Sequence, residues 1–157
     1  MPPEYRPVGP RVEIARGEDW SLMAWRTADG FCVANADTGG GSGRSLGRKP
    51  HPRGTRFAVA TVGTAGRRSG GWGFFGGLVT AAVARVQIEL RNGTTRSAAT
   101  EPAPAALDAD LRTFLILTPS DGVPVGPSYA PVVPVCTLLA ADGRVLERLT
   151  NSRRPRP

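Results

Sequence analysis

The chain has 157 residues and a net charge of +7, with 20 Gly, 15 Pro, two cysteines and one histidine. That length suits one domain with a real core, and an apolar fraction of 40% excludes a wholly disordered chain. The Gly and Pro load argues against a helical bundle; the Cys and His counts exclude a four-cysteine or two-cysteine, two-histidine zinc site and a multi-disulfide knot.

Residues 1–10 read as a flexible N-terminal arm. The first 19 residues contain no apolar run of about 7 to 15, so the chain as given shows no signal peptide. It is expected in the cytoplasm as written, and outside it if the start is truncated. No stretch of about 20 apolar residues predicts a membrane span.

Val12 and Ile14 alternate with Arg11 and Glu13, the period of a half-buried strand. Residues 20–27 and 31–36 predict a hairpin across Ala28-Asp29-Gly30, where Asp-Gly supplies the backbone freedom of a tight turn. Residues 38–56 (TGGGSGRSLGRKPHPRGTR) have no apolar period and read as a long loop. Its glycines lack the Gly-Lys-Ser/Thr ending of a phosphate cradle. Phe57 to Val62 predicts a strand, followed by a second Gly/Arg loop through Gly71.

Ser69 to Ala84 carries no charge, and Gly73 to Gly77 matches GxxxG. A glycine-rich loop running into a buried strand is favoured over a short membrane helix, because glycine is a poor helix former. Leu78 to Val83 fits a short strand or a turn of helix.

Val86, Ile88 and Leu90 alternate with Arg85, Gln87, Glu89 and Arg91, and Asn92-Gly93 is a strong hairpin turn. Thr94 to Ala99 is the expected return strand. The hairpin explains Asn92-Gly93-Thr94 without invoking the glycosylation sequon it also matches. Residues 101–106 (EPAPAA) read as a linker. Leu111 to Thr118 (LRTFLILT) is nearly continuous in apolar residues, as a central strand is. Pro119 to Pro134 holds five prolines, so it reads as extended connection or edge strand. Val135 to Ala141 and Arg144 to Leu149 flank Asp142-Gly143 as a last hairpin, and 151–157 is a disordered basic tail.

These elements predict an all-β fold: an antiparallel, immunoglobulin-like β-sandwich over 11–150, with seven to nine short strands and long Gly/Arg loops. A small β-barrel is the alternative. Cys32 and Cys136 could meet across such a sandwich, closing a loop of about 104 residues with about 4–5 kcal/mol of stabilisation in the chain-entropy model. Two buried thiols are the other reading.

Eight basic residues and no acid fall between Thr38 and Ile88, while the remaining 12 basic residues face 13 acidic ones. Arg44, Arg48, Lys49, Arg53, Arg56, Arg67 and Arg68, with Trp72 beside them, are the candidate binding residues, suited to an anionic partner. Trp20, Trp25, Trp72 and Phe74 are candidates for a ligand-facing surface, at least half of them belonging to the core instead. His51 sits between prolines and cations with no carboxylate nearby in sequence, a poor setting for a general base. Asp108 and Asp110 lack a third ligand and read as a turn rather than a metal site. No nucleophile–base or acid–base pair stands out, so the chain is expected to be a non-enzymatic binding or sensory module without metal or cofactor. An unknown protein or anionic partner is its expected ligand. The alternative is a cationic nucleic-acid or anionic-surface binder using 44–56 and 67–72, though no helix-turn-helix, zinc-finger or RRM signature is present.

The order of features from Gly77-Leu78-Val79 through Val86-Gln87-Ile88-Glu89-Leu90, Asn92-Gly93, Pro102-Ala103-Pro104, Leu111-Arg112-Thr113-Phe114-Leu115 and Ala140-Ala141-Asp142-Gly143-Arg144-Val145 resembles a poorly characterised actinobacterial β-sandwich module. The hairpin from Trp20-Ser21-Leu22 to Asp29-Gly30-Phe31-Cys32-Val33 fits it too, so that about 110 residues are covered. Such modules occur alone or as extracytoplasmic domains of membrane proteins, some of them anti-sigma-factor-like. The resemblance implies no catalytic residues. This chain shows no membrane span, leader or anti-sigma zinc-binding region, so sigma-factor regulation is not carried over.

Overall fold

Short alternating segments punctuated by glycine and proline fold as strands, because neither residue sustains a helix and alternation gives a strand one apolar face. The computed structural model describes residues 5–17, 20–28, 30–35, 57–65, 72–90, 93–107, 110–119 and 135–150. They form eleven strands: β1 Val12–Arg16, β2 Ser21–Arg26, β3 Phe31–Asn35, β4 Ala58–Ala65, β5 Trp72–Thr80, β6 Arg85–Glu89, β7 Thr95–Ala99, β8 Glu101–Pro102, β9 Leu111–Pro119, β10 Val135–Leu139 and β11 Val145–Thr150. The count exceeds the seven to nine expected, largely because the 101–106 segment contributes β8 and the glycine-rich 72–80 stretch is a full strand.

All pairings are antiparallel, in three sheets ordered β1-β2-β3, β4-β5-β9-β8 and β11-β10-β6-β7. The fold is therefore all-β and sandwich-like, as the alternation predicts. Among the described residues none of the sheets closes on itself, which removes the barrel alternative.

The sheets stack in three layers with β4-β5-β9-β8 in the middle. Successive side chains of a strand point to opposite faces. On β5, Phe74 and Leu78 pack against the first sheet, the former with Trp20 and Leu22, the latter with Ala24 and Val33. Val79 on β5, with Phe114 and Ile116 on β9, points the other way, into a core shared with Val86, Ile88, Cys136 and Leu138 of the third sheet. A strand covered on both faces has no polar side, so β9 reads as a continuous apolar run rather than an alternating one. Phe74, Leu78 and Val79 are each 0% exposed.

Gly76 sets the spacing of two layers. A Cβ there would lie 2.7 Å from Leu22 Cδ1 and 3.2 Å from both Leu115 Cδ1 and the Phe114 carbonyl oxygen. The two tight hairpins each place glycine at positive φ, Gly93 at 82° and Gly143 at 85°, where a side chain is strained. At the second, the Arg144 amide also donates to Asp142 Oδ1 at 2.9 Å.

The chain passes between sheets twice at one end. After β5 it turns through 81–84, with the Val83 amide donating to the Thr80 carbonyl and the Ala84 amide to that of Leu139. After β7 it crosses at Thr100, which is buried and clamped: its amide donates to the Ala84 carbonyl and its hydroxyl to the Val83 carbonyl at 2.8 Å. Arg112 locks the same residue, donating from Nε to Thr100 Oγ1 at 2.7 Å and from Nη2 to the Thr100 carbonyl at 2.9 Å. Within the segment read as an N-terminal arm, the Tyr5 carbonyl accepts a hydrogen bond from Trp25 Nε1 and the Val8 amide donates to the Arg26 carbonyl; just after it, Arg11 lies over the Trp25 ring at 5.0 Å.

Candidate functional site

The basic candidates Arg44, Arg48, Lys49, Arg53, Arg56, Arg67 and Arg68 lie outside the described residues, as do His51 and Asp108. The described residues that flank them are Asn35 and Phe57 for the first loop, and Ala65 and Trp72 for the second. Ala58 and Ala65 end an eight-residue strand, so the two loops meet β4 about 23 Å apart along its axis. Trp72 opens β5 opposite Ala65 and Pro119.

Three aromatics proposed for a ligand-facing surface belong to the core instead. Trp20 stacks on Phe74 with ring centroids 4.7 Å apart, and Trp25 is buried with its indole N–H spent on Tyr5. Large rings bury the most apolar area, and the junction of two layers offers the space. Neither cysteine is bridged: Cys32 is buried on β3 and Cys136 on β10, in the first and third sheets with the middle sheet between the two layers. Burial, with a smaller contribution from Glu147, pushes the Cys136 thiol up to about 12, so it is neither nucleophile nor ready ligand at neutral pH.

The structure instead brings together residues the sequence reading passed over. β7 is the last strand of its sheet, and β8 pairs with β9 only through Glu101↔Thr113 and Pro102↔Arg112. Because the chain crosses sheets at Thr100, β8 begins opposite Thr113 and leaves the rest of β9 without a paired strand on that side among the described residues, where β7 passes close to it. Between these two edges lies a cleft of about 430 Å³, lined by Arg96 and Ser97 of β7 and by Leu115, Ile116 and Leu117 of β9.

Arg96 and Ala98 share the face of β7 turned toward the middle sheet, with Ala98 packed on the core. Arg96 is half-buried, and its Nε has no hydrogen-bond partner and no solvent contact. Among the described residues, two other buried polar side-chain atoms lack partners, the Oγ1 of Thr27 and of Thr80, and neither lines this cleft. Ser97 accepts a hydrogen bond from Arg85 Nη1 at 3.1 Å, and Leu117 is 45% exposed. Among the described residues, no carboxylate lines the cleft. One signal for Arg96 was legible: a charge at the inward position of an alternating strand. Nothing local in the sequence marks Leu115 or Leu117, because an uncovered edge depends on where a distant strand stops.

Among the described residues, no three His, Cys, Asp or Glu side chains gather as a metal site would require, and no helix is long and apolar enough to cross a membrane. Comparison with protein-family models, with curated proteins and with solved structures finds no match.

Proposed function

We propose that the chain is a non-enzymatic binding module that seats an acidic group of its ligand in the cleft between β7 and β9. Its partner is a protein or another anionic ligand. The observation that carries this reading is Arg96, which lines the cleft while its Nε is withdrawn from water without an acceptor. A donor left in that state costs about 1–3 kcal/mol, and a carboxylate in the cleft recovers that cost as a charge-assisted hydrogen bond once the guanidinium turns to meet it. The apolar walls at Leu115, Ile116 and Leu117 suit the rest of such a ligand.

Titration with N-acetylglutamate, followed through the Arg96 Nε–H resonance, tests the reading. A saturable shift is expected, lost when N-acetylglutamine replaces the acid; in R96M the acid should likewise leave the Ser97 backbone amide resonance unmoved. An unmoved resonance at tens of millimolar acid, about the weakest binding a single charged contact gives, defeats it.

A second reading draws on the eight cations without an acid between Thr38 and Ile88: binding of nucleic acid or an anionic surface through 44–56 and 67–72. Retention on heparin that falls steeply with salt supports it, and retention indifferent to salt removes it.

A further inference from the structure

The acid seat at Arg96 lies beside backbone that has the spacing of a strand template. Resting on the binding reading above, we infer that the ligand is an extended peptide segment of a partner protein. It adds antiparallel to the unpaired edge of β9 and carries an acidic side chain flanked by apolar ones.

The direction of the edge groups follows from observed bonds. The Ala103 amide donates to the Leu111 carbonyl, so Leu111 presents its backbone groups to the β8 side. The N–H and C=O of one strand residue point the same way, and the direction alternates along the strand. Thr113, Leu115 and Leu117 therefore face that side too. The opposite side agrees: the Thr80 amide donates to the Phe57 carbonyl, which turns Thr80, Leu78, Gly76 and Phe74 toward β4 and leaves Val79, Gly77 and Phe75 to bond β9 at Arg112, Phe114 and Ile116. β8 covers Leu111 and Thr113. Among the described residues, the N–H and C=O of Leu115 and Leu117 are left facing the cleft, four groups at the spacing of one added strand.

The same alternation fixes the side chains of the incoming segment. A residue directly opposite Leu115 or Leu117 bonds its backbone and stands on the face of the middle sheet turned toward the first sheet. There it covers the exposed Leu117 side chain. The residue between them lies opposite Ile116 and points to the other face, toward the third sheet and Arg96. Apolar, acidic, apolar is the pattern this register selects, and the acid is the one residue that meets a charge.

The probe is acetyl-Thr-Val-Glu-Val-Thr-amide titrated into the full chain, with amide hydrogen exchange and the Arg96 Nε–H resonance as readouts. The expected result is slowed exchange at Leu115 and Leu117 and a shift at Arg96. The Gln counterpart should bind at least tenfold more weakly, and the peptide N-methylated at both valines should not bind. Equal binding of the N-methylated peptide overturns strand addition while leaving the acid seat standing. So does a chain that takes N-acetylglutamate but not the peptide. Binding of neither ligand overturns both. Protection of Leu115 and Leu117 that grows with protein concentration and needs no peptide means that a second copy occupies the edge, and that result also overturns the inference.

Discussion

Substituting Gly76 by alanine places a methyl group where the first and middle layers meet. Its Cβ would stand 2.7 Å from Leu22 Cδ1, about 1 Å inside ordinary carbon–carbon contact. Leu22 is 0% exposed and packed beside Trp20 and Phe74, so it has no solvent to move into. Retreat in the other direction is blocked by the Phe114 carbonyl oxygen at 3.2 Å, a backbone atom of β9. Overpacking of this kind costs about 1–3 kcal/mol, of which the lower chain entropy of alanine returns about 0.5–1. G76A is therefore expected to lose about 0.5–2 kcal/mol, and L22A, which empties the opposing space, about 2–5 kcal/mol. In the double variant the new methyl occupies room that Leu22 has vacated, so the double loss should fall short of the sum by about 0.5 kcal/mol or more. Urea denaturation of the four proteins, read as the midpoint at unchanged slope, measures the cycle. Additive losses, or a G76A protein more stable than the parent, would refute the close approach of these layers.

Two further expectations concern buried polar groups. T100V strips the Val83 carbonyl of its donor and Arg112 Nε of its acceptor, so urea denaturation should show a loss of about 1–3 kcal/mol, less when combined with R112M. Cys136 keeps its proton in the folded state up to about 12, whereas the unfolded thiol ionises near 9.0. The native chain thus holds the extra proton between those values, and its stability is full below pH 9 and falls as pH rises toward 12. C136A should remove that share of the alkaline decline in parallel denaturation curves, and identical pH dependence in the two proteins would contradict it. Iodoacetamide in denaturant without reductant should add two carbamidomethyl groups, at Cys32 and Cys136, by mass measurement; none would mean a bridge.

How much of this was legible depended on how local the determinant was. Asn92-Gly93 and Asp142-Gly143 announce their hairpins because the turn's backbone demand falls on one residue, and both glycines sit at positive φ. The apolar run from Leu111 marked β9 as central, and its burial on both faces is the reason the run is unbroken. β5 was harder. Glycine usually weakens a strand, so 72–77 read as loop, yet Gly76 is there because Leu22 of another layer comes too close for a side chain. Proline hid β8, a two-residue strand on the edge where a missing donor is harmless. The cleft was invisible for a similar reason. Its walls are strand edges left uncovered by the crossover at Thr100, and pairing partners far apart in the chain leave no pattern in either segment.

The middle sheet is covered on both sides, and the adjacent residues Leu78 and Val79 test that arrangement most directly. They point to opposite faces, and both are 0% exposed. L78A should cost about 2–5 kcal/mol, and V79A about 2 kcal/mol from lost methyls and the cavity they leave. Two large losses in urea denaturation are the predicted result. A loss within about 0.5 kcal/mol of zero at either position, the mark of a solvent-facing side chain, would contradict it.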